Sequence, residues 1–124
     1  MLFGVSRVPG ALHLVDKHNR KKVVANPLKP AAIDVYIARP SVLENTYHIG
    51  VDGTRDEVCD KYDARLRKKV KRQDSAVMEK LQFIADKLDA GHDVYLVCFC
   101  HPKRCHGLSV IKQVERLRKR KAKV

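Results

Sequence analysis

"VYLVCFCHPKRCHG", residues 94 to 107, is the stretch whose reading decides the fold. Val94 to Phe99 form an almost unbroken apolar run of strand length, rich in β-forming residues, as expected of a strand covered on both faces. From about His106 to Lys121, Leu108, Ile111, Val114 and Leu117 recur at three- or four-residue steps and predict an amphipathic helix with a strongly basic end. A buried strand that passes through a short turn into a helix is a building unit of α/β sheets.

Upstream, "DSAVMEKLQFIADKLDAGHD" predicts another helix. Asp74 or Ser75 caps it, Val77, Met78, Leu81, Ile84, Ala85 and Leu88 form its buried side, and Gly91 terminates it. In "GVDGTRDEVCDKYDARLRKKVKRQ", Thr54 and Glu57 make a capping box with Asp56 in the first turn. Val58, Tyr62, Leu66 and Val70 then give one apolar stripe. Lys61, Arg65, Arg67, Lys68, Lys69, Lys71 and Arg72 surround it, as a solvated face or as a nucleic-acid patch. Before that helix, Ile33, Val35 and Ile37 alternate with Asp34 and Tyr36 as in a strand, and Pro40 ends it while holding Arg39 extended. Leu12–Val15 and Lys22–Ala25, on either side of Asp16-Lys17-His18-Asn19, predict a small N-terminal β-hairpin. The order predicts a single α/β domain over 1–124, a small three-layer sandwich around a partly parallel sheet, with a basic C-terminal end at about 117–124.

Composition narrows the function classes. Hydrophobic residues are 44% and charged ones 32% of the chain, as in ordinary globular proteins. No apolar run approaches the roughly 18 residues of a spanning helix, and the first residues do not read as a secretory signal, so the expected location is the cytoplasm. In a reducing compartment the four cysteines are expected as thiols or metal ligands. Twenty-six basic against 14 acidic side chains, a formal charge of +12, favour an anionic partner such as a nucleotide, nucleic acid or an acidic protein.

Ligands of open α/β sheets bind outside the carboxyl ends of the strands. Two such ends are visible, "IARPS" and "CFCHPKRCHG"; if their strands are neighbours, Arg39, Ser41, Cys100, Lys103, Arg104 and His106 gather around one cleft. Cys98 and Cys100 share a side of an extended strand. With Cys105 or His106 folded back they would make zinc ligands, although one CxC and one CH fall short of the usual paired signature. The competing chemistry places Cys105 and His106 at a helix N-terminus, where amides and dipole lower a thiol pKa and attract anions, helped by Lys103 and Arg104. The bland alternative is that Cys98, like Cys59, merely packs in the core. A further anion site is the helix start at Thr54 and Arg55, with a plain cap as the alternative.

Two blocks, "VYIARPSVLENTYHIGVDGTRDEVCDKYDARL" and "LVCFCHPKRCHG", resemble "VYIGRPSPLGNPFxIGxDGTRxEVIxxYxxWL" and "LLCWCxPxxCHG" of the domain of unknown function 4326. They cover under half the chain, in the same order as in that family. The resemblance implies a small Rossmann-like domain of a kind frequent in bacteriophages, hence host cytoplasm if phage-encoded, and an activity that is unassigned. Its motif positions fall on Arg39, Ser41, Asn45, Gly53, Thr54, Arg55, Cys98, Cys100, Cys105, His106 and Gly107. Val42, Glu44 and Thr46 depart from it, and Glu44 puts a carboxylate where a tight turn is expected.

Three functions follow as expectations. The first is a binding domain that holds a phosphate-bearing ligand, a nucleotide or nucleic acid, through Arg39, Ser41, Asn45, Thr54, Arg55, Lys103 and Arg104. The second is an enzyme on a nucleotide-like substrate, with Cys100 or Cys105 as nucleophile and His106 as acid or base. The third is a phage-encoded protein-interaction module with an acidic host partner. Zinc on Cys98, Cys100, Cys105 and His106 is the one cofactor to consider, and no membrane is expected.

Overall fold

A computed structural model describes residues 9–99 and 103–122, the last two by backbone only. The elements are β1 (Leu12–Asp16), α1 (Lys17–Arg20), β2 (Ile33–Tyr36), α2 (Arg55–Lys71), α3 (Ser75–Asp89), β3 (Val94–Cys98) and α4 (Gly107–Ala122). All strands are parallel in the order β1-β3-β2. The most apolar strand therefore takes the centre, where both its edges are paired.

The register sets which side chains share a face. Leu12 and Ile33 flank Val94, and Leu14 and Val35 flank Leu96. These residues meet Leu66, Leu81, Ile84, Leu88, Val110 and Val114 of the three long helices in one core, in which Leu96, Val94, Ile84 and Leu88 are fully buried. Each such side chain contributes about 1.5–3 kcal/mol relative to exposure.

The opposite face is polar and aromatic. His13 stacks on Tyr95 with ring centroids 4.5 Å apart, and Arg20 of α1 lies over Tyr95 while bonding Asp34 at 2.6 Å. Among the described residues its cover is α1 and the segment leading to β2. Right-handed connections account for this asymmetry. β1 to β2 steps across the sheet one way and β2 to β3 steps back, so the two crossovers lie on opposite faces.

The α/β sandwich stands, with a wholly parallel sheet. The N-terminal hairpin does not form. Asp16 accepts from the Asn19 amide at 2.8 Å and starts the helical turn α1, residues 22–25 have no strand structure and are exposed, and β1 pairs with β3. An Asp-initiated turn signals a hairpin or a helix cap equally, and the central strand's open edge decides. In α4, Leu108 faces outward at 47% exposure, while Val110, Gln113 and Val114 turn inward.

Candidate functional site

The loop from residue 37 to 54 and the lead-in to α4 leave neighbouring strands at their carboxyl ends, which places the expected cleft. A cavity of about 480 Å³ lies there. It brings together Arg39, Asn45, Arg55, Cys98, Arg104, Cys105 and His106 from the sequence-derived set, and adds Tyr47, His48, Ile49, Val58, Cys59 and Phe99. Ser41, Thr54 and Lys103 are not among the lining residues, and Cys100 lies outside the described residues.

The wall is built by local bonds. His48 donates its amide to Asp52 Oδ2 at 2.7 Å, and Gly50 and Gly53 close a short turn. Gly53 has φ +138°, and a Cβ there would stand 2.8 Å from that of Glu57, so both backbone and space call for glycine. Thr54 then caps α2: its hydroxyl accepts from the Glu57 amide, and Glu57 accepts from the Thr54 amide at 2.9 Å. Asn45 takes the Tyr47 amide at 2.9 Å, and the Tyr62 hydroxyl donates to the Leu43 carbonyl at 2.7 Å. Burial pushes the Tyr62 phenol pKa well up.

The three arginines have different tasks. Arg104 is clamped to α2, with Nη1 3.0 Å from Asp56 Oδ1 and Nη2 2.7 Å from Asp60 Oδ1. Those bonds raise its already high pKa. Arg55 donates to the Arg104 carbonyl at 3.2 Å, and Arg39 lies against the His48 ring with Nη1 2.6 Å from Nδ1. Among the described residues no carboxylate pairs with Arg39 or Arg55, and the lining holds no Asp or Glu. Glu44, the departure from the family pattern, stays off the cavity wall.

His106 is buried at 7% exposure, packs edge-on to Tyr62 at 4.8 Å and sits with Nε2 2.7 Å from the Ile37 carbonyl. A carbonyl only accepts, so Nε2 carries the proton and the ring ties the start of α4 to the end of β2. Burial is the main cause that lowers its pKa, joined by the Arg39 charge; the Ile37 and Leu43 carbonyls oppose it. Cys105 accepts the Gly107 amide at 3.2 Å and is itself buried, as are Cys59 and Cys98. At the start of α2 Thr54 takes the Glu57 amide, at the start of α4 the Cys105 sulfur takes the Gly107 amide, and Arg39 and Arg55 bring positive charge that no acid among the described residues pairs. Among the described residues no group of three or more His, Cys, Asp or Glu side chains is arranged to hold a metal.

The residues that sequence reasoning missed, Tyr47, His48, Ile49 and Phe99, had one available signal. They sit in "NTYHIG" and just past the last strand, on segments following strand ends, where function concentrates. No helix among the described residues is long and apolar enough to cross a membrane. The family model described as Domain of unknown function (DUF4326) matches residues 17–116. No curated protein and no solved structure matches the chain.

Proposed function

The chain belongs to the DUF4326 family, a domain of unknown function, and we propose that it holds a phosphate-bearing ligand, a nucleotide or a nucleic-acid end, in the strand-end cavity. The observation that carries this reading is the cavity's sign: three arginines and no carboxylate, with Arg39 and Arg55 unpaired by any acid among the described residues. Exposed Phe99 and Ile49, with Tyr47, give a base or ribose an apolar wall. Isothermal titration with nucleoside monophosphates and inorganic phosphate tests it. Arg39→Ala or Arg55→Ala each removes one charge-assisted contact, about 1.5–3 kcal/mol, or a tenfold to hundredfold loss of affinity. Heats that stay flat for every probe would overturn it, and capture of one acidic protein, insensitive to nuclease, would favour an interaction module.

A catalytic Cys105 is the second reading, favoured by the Gly107 amide on its sulfur, which stabilises a thiolate at a cavity wall. With Nε2 donating to the Ile37 carbonyl, Nδ1 is the His106 nitrogen left to act as acid or base. Alkylation of Cys105 that is fast at neutral pH supports this reading; a slow, ordinary profile removes it. Zinc would take Cys98 and Cys100 with Cys105 or His106, and Cys100 lies outside the described residues. A zinc-sized mass lost from the native protein on unfolding would support it.

A further inference from the structure

The charges of α2 are sorted onto two flanks. At about 100° per residue, Asp56, Asp60 and Asp63 fall on one side of the buried Val58-Tyr62-Leu66 stripe, where Asp56 and Asp60 hold Arg104. Lys61, Arg65, Lys68 and the C-cap Arg72 fall on the other, all exposed. This second flank borders the cavity wall: Lys61 donates to the Asp52 carbonyl and lies 5.8 Å from the Tyr47 ring centroid, and Arg65 donates to Thr46. Glu57, at the head of the same flank, is occupied by the Thr54 amide. Among the described residues none of the four cations pairs with a carboxylate.

We infer that the ligand is single-stranded nucleic acid, with its terminal nucleotide in the cavity and its backbone laid along this cationic flank; the inference rests on the cavity reading above. The four charges recur about once per helical turn over about 16 Å, a spacing suited to successive phosphates. The flank carries no large apolar side chain that a peptide partner would need as an anchor. The cavity admits one unpaired nucleotide beside Tyr47 and Phe99, which a base-paired end does not offer.

Fluorescence anisotropy with a short 5′-phosphorylated oligodeoxynucleotide, alongside calorimetry with the nucleoside monophosphate, tests it. The oligomer should bind at least about tenfold tighter than the mononucleotide at low salt. Lys68→Gln with Arg72→Gln should lower the slope of log affinity against log salt by about 1.4 for the oligomer and leave mononucleotide affinity unchanged. Lys71→Gln with Lys112→Gln, which removes equal charge elsewhere, should change the slope far less. Mononucleotide binding with no gain for the oligomer would overturn the extended path and leave the cavity reading standing. Equal loss in the control pair, or equal affinity for a blunt duplex, would also overturn it. Absence of binding by either probe would remove both readings.

Discussion

Replacement of His106 tests the central joint of the site. The imidazole donates to a carbonyl of Ile37, a fully buried residue, and packs on Tyr62. His106→Ala leaves that carbonyl without its donor, about 1–3 kcal/mol, and removes an aromatic pair of about 0.5–1.5 kcal/mol, so the expected loss is about 2–4 kcal/mol. His106→Gln keeps a donor and should cost about half as much. The two variants also separate the pH response. His106 has a folded pKa below its unfolded value near 6.5, so both states are neutral above that pH and its contribution is constant there. Below it the unfolded chain takes up a proton that the folded chain resists, and stability falls as pH falls, by up to about 1.4 kcal/mol per pH unit until the folded pKa is reached. Urea denaturation of wild type and His106→Gln from pH 8 down to pH 5 measures this, with the acid-side decline expected to flatten in the variant. Parallel declines, or an Ala variant that loses under about 0.5 kcal/mol, would refute the buried neutral donor.

Three further outcomes are expected. Thr54→Ala should cost about 1 kcal/mol in urea by removing the hydroxyl that accepts from the Glu57 amide, while the backbone amide of residue 54 keeps its bond to Glu57, and an unchanged midpoint would remove that role. Gly10→Ala should cost about 3 kcal/mol or more, because a Cβ would lie 1.7 Å from the His92 carbonyl oxygen, a backbone atom that cannot swing aside; a neutral result by thermal melting would mean the strand entry is placed differently. In a spectrophotometric titration of the four tyrosines, Tyr62 should resist ionisation while the chain stays folded, and Tyr62→Phe should remove the resistant component at a cost of about 1–2 kcal/mol.

What could be read from the sequence was local. The Thr54/Glu57 box, the Asp74 cap and the four-residue stripe of α2 depend on residues a turn apart, and each is in place. The strand that ends at Cys98 declared itself by apolarity, and its central position brought the two strand ends together. The partner of Leu12–Asp16 could not be read, since an edge strand beside β3 and one arm of a hairpin carry the same alternation. The same limit applies to Arg104, whose basic neighbourhood suggested a ligand contact. Its acids stand on α2, 48 and 44 residues away in sequence, and only the packing of α4's lead-in on that helix brings them within reach. His106 was legible as chemistry but not as a tie, because the Ile37 carbonyl is 69 residues away.

The central place of β3 bears on how the protein is made. Ala11 and Asp93, bonded at the foot of one ladder, are 82 residues apart, and Ala31 and His92, bonded beside the other, are 61 apart. β1 and β2 never pair with each other, so a nascent chain carrying both still has no sheet. At about 5–20 residues per second a ribosome needs roughly 3–12 s to go from β2 to β3, during which two apolar segments wait for the strand that will join them. Helices α2 and α3, with their own caps, are the parts of this chain able to form during that delay, and the final assembly is a single late insertion between two edges.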